Sequence, residues 1–526
     1  MTESFKLTYA TMFDPPAELH ARFEAALQQA KGSLNQEYPM FINGQAHYTV
    51  QKSQAVSPLD IRMKIAVFQK GNAADAAMAI AAAKEAFPAW KRTKWEERVR
   101  LVRKFADLIN ERIFSMAAAL CLETGKNRME ALGDVAETAD LARYACDQME
   151  CHNGFIKQMK PDPLVGFVSR NTDVLQPYGV WAVISPFNFP CALTGGPAAA
   201  ALVAGNTLVI KPASTTMWSP TLLVECLRDA GLPDGVVNLV TGSGSVIGEA
   251  IIQSPDIAGI TFTGSQSVGM DIFRKFAAGS YVRPAILELG GKNAAIVSKN
   301  ADLEDAALGI VRSAFGLQGQ KCSACSRVFV EKPLYERLLK RVLELTSLLK
   351  VGDATQKDVY LGAVIDKNAY ADYKTFCDDL RKSGKIVFGG RQIREGEYQY
   401  GYFCEPTIVT ELPFSHEIWK KELFLPILTI APVENLEQAI QMANDVDYGL
   451  TGGFYGNAKE VEWYFDHIEA GVVYANRPQG ASTGAWPGYE PFGGWKGSGS
   501  SGKNAGGPYY LQLYMREQSR TLIRRL

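Results

Sequence analysis

A chain of 526 residues, 47% of them hydrophobic and 21% charged, has ordinary globular composition and is long enough for three or four domains, each with its own core. Gly and Pro number 47 and 25, about 14% together, which excludes collagen-like, low-complexity and disordered classes. With 55 Lys+Arg against 56 Asp+Glu the formal net charge is -1, and no basic stripe or like-charge run offers a surface for nucleic acid, so any ligand must be recognised locally.

The N-terminal string MTESFKLTYATMFDPPAE mixes acidic and basic residues and has no apolar core, so neither a secretory signal nor an Arg-rich transit peptide is expected. The nine cysteines, an odd number without a signal, point to reduced thiols and a cytoplasmic protein. Residues 72–120 and 134–150 read as Ala-rich helices, with Asn72 as a cap. Residues 158–177 are short, strand-like and outside the surrounding pattern. From Val174 to Ile210 there is no charged residue, which by charge alone suggests a membrane span. Pro177, Pro186, Pro190, Pro197, the Gly195-Gly196 pair, Asn188 and Asn206 argue otherwise, since they would leave backbone and amide groups unsatisfied in lipid. The run is read as a buried strand at 178–184, a helix at 196–205 ending on Gly205, and a strand at 206–212.

An amphipathic helix (218–230), a strand (236–240), the turn TGSGS, a helix (246–252), a strand (257–263) and a turn at GSQSVG follow. Strands and helices alternating at this spacing predict an α/β fold with a parallel sheet. A second α/β stretch runs from 289 to about 470, with helices near 334–349, 368–383, 436–443 and 458–469. Residues 500–526 are again strand-like and pair in the reading with 158–177 as an arm for a partner subunit.

His20, His47, His152, His416 and His467 are far apart, so no histidine triad and no metal site is expected. Cys322 and Cys325 form a C-x-x-C, but no second pair accompanies it. FGLQGQKCSACSR (315–327) instead sets Cys322 in a Gly- and Gln-rich loop just before a strand, a setting for a nucleophilic thiol with exposed backbone N–H groups. ILELGGKNAAIV places Glu288 at the end of an apolar strand, where a carboxylate is usually paired or catalytic. SPFNFP holds Asn188 in a rigid loop that can present its amide to an oxyanion, although Asn188 alone reads more often as a satisfied turn residue. GSGSVIG (242–248) has one residue too many before its last Gly for a G-x-G-x-x-G fingerprint.

SPFNFP, LVIKPAS, FTGSQSVG, LELGGKN, GQKCSACSR, KELFLPIL and PFGGWKGSG, in that order, resemble the aldehyde dehydrogenase superfamily over nearly the whole chain, from about Tyr38 to Leu526. The resemblance implies a Rossmann-type NAD-binding domain with N-terminal helices (1–157 and 178–288), an α/β catalytic domain (289–499), an oligomerisation arm (158–177 and 500–526), and a homo-oligomer. It implies that Cys322 attacks the aldehyde, that Asn188 and the Cys322 N–H hold the oxyanion, and that Glu288 is the general base for hydrolysis. It assigns the adenosine ribose to Lys211, the pyrophosphate to Ser265 and the nicotinamide ribose to Glu422 with Phe424 alongside. Ser185, Pro186, Ser214, Gly244, Gly264 and Gly290 complete the cofactor set. Ser214 stands where many NAD-selective members carry Glu, which implies that NADP is tolerated beside NAD, and Leu425 replaces a more usual Gly.

A narrower resemblance, in QKCSACSR, TGAWPGYEPFGGWKGSG and the tail KNAGGPYYLQLYMREQSRT, is to the L-glutamate γ-semialdehyde dehydrogenases of that family, which act in proline degradation. It implies that the substrate α-carboxylate is held by the Ser323 hydroxyl and the N–H groups of Gly484 and Ala485. Phe187 and Phe492 would line the aliphatic part, and Glu137 would accept the ammonium; a solvated helix face is the other reading of Glu137. PQGAS (478–482) is about three residues longer than usual and Trp486-Pro487 follow it, which keeps succinate or aminoadipate semialdehyde as alternative substrates. A non-catalytic protein of the same fold is the remaining alternative.

Overall fold

Strands Val180–Ile184 and Thr207–Lys211 are buried along their whole length, and their unbroken apolar sequence follows from that, because a central parallel strand is covered on both faces. They form the middle of a seven-stranded sheet in the order Ala285–Glu288, Ile257–Thr263, Val180–Ile184, Thr207–Lys211, Val237–Leu239, Met40–Ile42, Gln45–His47. The first five are parallel and the last two antiparallel. The computed structural model describes residues 15–481, 484 and 486–526. The chain moves outward from Val180–Ile184 through the next two strands, then returns to the other side of Val180–Ile184 as Ile257–Thr263. That reversal leaves a crevice beyond the carboxyl ends of these two strands, the place where open α/β sheets bind ligands.

A second seven-stranded sheet runs Lys385–Phe388, Thr407–Thr410, Ile427–Val433, Cys325–Glu331, Asn293–Val297, Thr451–Tyr455, Val472–Ala475, parallel except for its first strand. The two sheets are tied by residues 498–500. Gly499 bridges Glu288, Leu289 N–H donates to the Ser498 carbonyl (2.9 Å), and Ser498 Oγ donates to the Gly290 carbonyl (2.7 Å).

Several boundaries differ from the sequence reading. The helix expected at 196–205 runs Ala192–Ala204, ending where Gly205 turns left-handed (φ 99°). Its Gly195 and Gly196 are interior because helix Arg128–Cys151 lies directly on them: a Cβ at Gly195 would meet Thr138 Cγ2 at 2.3 Å. Helix Arg128–Cys151 itself starts well before 134, since Asn127 Oδ1 accepts the Glu130 N–H (3.0 Å). The stretch 72–120 divides into Ala73–Arg92, Trp95–Glu111 and Ile113–Thr124, and Asn72 caps the first in a reciprocal box with Asp75. The GSQSVG turn lasts only to Ser265, after which helix Gln266–Ala277 begins, and residues 244–248 form a wide π turn ahead of Glu249–Gln253.

The arm strands are Ile156–Gln158, Phe167–Pro177 and Met515–Arg525, with the last two antiparallel over eleven pairs from Met515↔Pro177 to Arg525↔Phe167. Residues 505–514, expected in the arm, belong to the body instead. Tyr510, Leu511 and Tyr514 are buried in the core around the first sheet; the Tyr514 ring packs on Trp181 (4.7 Å between centroids) and its carbonyl accepts Asn206 Nδ2 (2.9 Å). Three aromatic or aliphatic side chains in five residues gain more by burial than by standing in a solvated strand. Among the described residues, no helix is long and apolar enough to cross a membrane.

Candidate active site

A cavity of about 730 Å³ fills the crevice at the sheet reversal. Its walls contain Ser185, Pro186, Asn188, Lys211, Ser214, Gly244, Gly264, Ser265, Gly290, Glu422 and Phe424, so every residue expected around a dinucleotide is brought to one space. Lys211 is 4% exposed, its Nζ donates to the Pro212 carbonyl (2.8 Å), and burial lowers its pKa to about 8. Gly264 and Ser265 lead into helix Gln266–Ala277, and Ser265 is extended with no side-chain bond to the first helical N–H groups. Those N–H groups form an anion-binding terminus at the cavity wall. Glu422 Oε1 accepts the Gly291 N–H (2.8 Å), and burial raises its carboxyl to about 7 against the pull of that N–H and of Lys292. A Cβ at Gly290 would lie 2.1 Å from Glu422 Oε2, so a side chain there would displace the carboxylate.

Phe424 adopts φ 58°, a left-handed conformation that costs a non-glycine residue on the order of 1–3 kcal/mol. Its ring meets Phe187 edge-on (5.7 Å, 78°) in the same cavity. Leu425 does not enter the cavity: it is 5% exposed in the core of the second sheet, and its carbonyl faces the Cα of Gly319.

Cys322 lines this cavity and also a second, apolar pocket of about 40 Å³. Leu141, Phe189, Ala192, Leu193 and Phe492 supply the apolar wall of that pocket, with Glu137 and Glu288 as its charged groups. Glu288 is 9% exposed, and burial alone raises its carboxyl to about 8, so it is protonated much of the time near neutral pH. Burial also pushes the Cys322 thiol up, and the carboxylates of Glu288 and Glu422 add to this, while the N–H groups of Cys322 and Ser323 oppose it. The resting group is therefore a thiol, able to become a nucleophile when a base or a positive charge arrives.

The loop that presents Cys322 is fastened on several sides. Asn293 Nδ2 donates to the carbonyls of Cys322 (2.6 Å) and Ala324 (2.9 Å), and Asn188 Nδ2 donates to the carbonyl of Gln320 (3.0 Å). Asn188 and Cys322 both line the large cavity. The start of helix Ala192–Ala204, four residues beyond Asn188, is held by Asp134, whose Oδ1 accepts the Ala192 N–H (2.7 Å) and whose Oδ2 pairs with the fully buried Lys126 (3.1 Å).

Two substrate expectations change, those for Phe187 and Ser323. Phe187 faces the large cavity, and Phe189 takes the place in the apolar pocket, because Phe189 enters the turn toward helix Ala192–Ala204 while Phe187 is drawn to Phe424. Ser323 is 1% exposed and lines a different cavity of about 270 Å³ with Glu130, Lys321 and Tyr360, since adjacent residues of the 320–324 turn face opposite ways. Ala485 lies outside the described residues. Gly484, Glu137 and Phe492 do meet at the pocket, and a Cβ at Gly484 would come within 2.5 Å of both Glu137 carboxylate oxygens. Glu137 is therefore in the pocket rather than on a solvated helix face. The sequence reading missed Phe189 and Tyr510; the aromatic spacing in SPFNFP and the PYYLQLY string were the available signals.

Residues 47–519 match the model of the aldehyde dehydrogenase family, and the chain belongs to that family. It is 36% identical over 525 residues, 99% of each chain, to the 1-pyrroline-5-carboxylate dehydrogenase of Geobacillus sp. (strain WCH70). It is also similar to the crystal structure of 1-pyrroline-5-carboxylate dehydrogenase from Thermus with bound NAD, with a TM-score of 0.92, 33% identity and 100% of both chains covered. Proline utilization A from Bdellovibrio bacteriovorus is similar over 95% of this chain (TM-score 0.90, 35% identity), and this chain spans 52% of that one.

Proposed function

We propose that this protein oxidises L-glutamate γ-semialdehyde, the open form of 1-pyrroline-5-carboxylate, to L-glutamate with NAD, the second step of proline catabolism. The observation that carries this reading is the position of Cys322 in the wall shared by the large cavity and the small pocket, with Glu137 against Gly484 in the latter. Lys211, Ser265, Gly290 and Glu422 fit a dinucleotide: a cation, an open helix N-terminus, a Cβ-free approach and a ribose acceptor share one cavity. NAD bound there supplies the hydride acceptor. Cys322 Sγ adds to the aldehyde carbon, and the oxygen that becomes negative is received by Asn188 Nδ2 and the Cys322 N–H. After oxidation Cys322 carries a thioester, and Glu288 takes a proton from the water that hydrolyses it. Glu137 accepts the substrate ammonium, and the loop bearing Gly484 and Ala485 receives the carboxylate.

Among the described residues no Arg or Lys lines the small pocket, which favours an ammonium-bearing substrate over succinate semialdehyde. The test is NADH or NADPH formation by the purified protein with the three semialdehydes. Glutamate semialdehyde with NAD is expected to give the highest kcat/KM, with NADP slower but active because Ser214 carries no charge to repel a 2′-phosphate. Glu137→Gln should lower kcat/KM for glutamate semialdehyde by about 10–100-fold, the worth of one hydrogen bond to a charged group. A better rate with succinate semialdehyde, or an unaffected Glu137 variant, would overturn the substrate assignment.

The reading also includes a cytoplasmic homo-oligomer. All nine cysteines are free. The arm leaves two strand edges open and exposes Val168 (55%), Leu522 (50%) and Ile523 (44%), a surface suited to strand pairing with another copy. Light scattering on the purified chain is expected to give a multiple of the 57.6 kDa monomer; the monomer mass alone would refute it.

A further inference from the structure

The turn that delivers Cys322 contains two non-glycine residues in the left-handed region, Leu317 (φ 47°) and Gln318 (φ 55°). Such a backbone persists only where its surroundings impose it. Gln318 Nε2 donates to the Gly125 carbonyl (3.0 Å) and Gln320 Oε1 accepts the Ile365 N–H (2.9 Å), but these hold one residue each. Glu130 holds both ends of the turn. Its Oε2 accepts the Leu317 N–H (2.9 Å) and its Oε1 accepts Lys321 Nζ (2.5 Å), with both side chains under one-tenth exposed. Lys321 is the residue before the thiol. Gly316 makes room for the pair, because a Cβ there would lie 2.7 Å from Lys321 Nζ and 2.9 Å from Glu130 Oε1. Glu130 is itself placed by the Asn127 cap at the start of helix Arg128–Cys151, the same helix that carries Glu137. The pair borders the cavity of about 270 Å³ behind the loop and lines neither the large cavity nor the small pocket.

We propose that Glu130, through Lys321 and the Leu317 N–H, is a positioning residue that sets the Cys322 backbone and thiol against Asn188. The proposal rests on Cys322 being the nucleophile, as inferred above. Its consequence is that loosening the clamp costs turnover without costing cofactor or substrate affinity, because the misplaced group is the attacking atom and not a binding wall.

The decisive variant is the double change Glu130→Gln and Lys321→Met, which removes both buried charges together and keeps an amide oxygen for the Leu317 N–H. Removing one partner alone would strand a buried charge. The expected result is a kcat about 10–100-fold lower, the scale of a misplacement near 1 Å, with KM for the aldehyde and Kd for NAD within about two-fold of the parent. A kcat within about two-fold of the parent would overturn the proposal, as would parallel losses in kcat, NAD affinity and thermal midpoint, which mark a merely structural pair. If the double variant does not fold, Glu130→Asp, which keeps the charge but draws the carboxylate back by one methylene, should show the same split at a smaller factor, and unchanged kcat there would equally overturn it. Alkylation of Cys322 by iodoacetamide, read at that residue by mass spectrometry, needs no aldehyde. It should slow at least about three-fold in the variant even if the assigned semialdehyde proves wrong, and an unchanged rate would count against the clamp alone.

Discussion

Replacing Cys322 with Ala is expected to lower semialdehyde-dependent NADH formation on the order of 10⁴–10⁶-fold, the scale found when a covalent nucleophile is removed, while NAD binding is retained. The reason for so large an effect is that, among the described residues, the neighbouring thiol and hydroxyl of the same loop are turned away. Cys325 is 3% exposed, its thiol is pushed up to about 12 by burial, and its Sγ is directed to the Arg327 carbonyl (3.5 Å). Ser323 faces the cavity on the other side of the loop. Retained NAD binding follows because Cys322 is only one of the groups in the wall of the large cavity. Asn188→Ala, measured in parallel, should cost less, about 10²–10³-fold in kcat, since the Cys322 N–H remains as a second donor to the oxyanion. Turnover above about one per cent of the parent rate in the Cys322 variant would show that the thiol is not the reacting group.

Glu288→Gln should lower steady-state kcat by about 10²–10⁴-fold yet leave the first turnover in place. Thioester formation uses Asn188 and Cys322, whose thiol proton would leave to solvent once the positive charge of bound NAD favours the thiolate, whereas hydrolysis of the thioester needs a base, so a burst of one NADH per active site followed by a stall is the expected trace. The same carboxylate sets a pH dependence. Burial raises Glu288 to about 8, and only its ionised form can accept a proton from water, so kcat of the parent should rise with pH through about 8 and level off above. Below that range the protonated carboxyl is idle as a base. The glutamine variant should lack this limb. A parent profile that stays flat between about pH 6 and 9, or a variant without a burst, would remove Glu288 from the base role.

Much of this site is legible in the linear chain because its parts are backbone-encoded. SPFNFP and FTGS must lie at the carboxyl ends of the two apolar runs that precede them, and parallel pairing of those runs brings the ends together. Glu288 is legible for a similar reason, as the charged end of an apolar strand. What was misread depends on which way neighbouring residues face. Phe187 and Phe189 are equivalent as composition, and only the turn into helix Ala192–Ala204 and the ring of Phe424 separate them. The PYYLQLY segment reads as an arm strand, yet Tyr514 is claimed by Trp181 and Thr261 beneath the first sheet and Tyr510 by Tyr514.

The sequence by itself determined the α/β class, the order of the strands along the chain and the family resemblance, and through that resemblance it singled out Cys322, Glu288 and Asn188 as the expected set. The first two are carried by periodicity, the set by the order of the motifs that hold it. The tertiary structure alone decided that Cys322 stands in a wall common to two cavities, that Glu137 lies against Gly484, and that Glu130 reaches Lys321 from a helix far away in the chain. Each of these is a contact between elements whose separation along the chain bears no relation to their distance in space. The direction of each side chain was settled by packing against partners that no local pattern encodes.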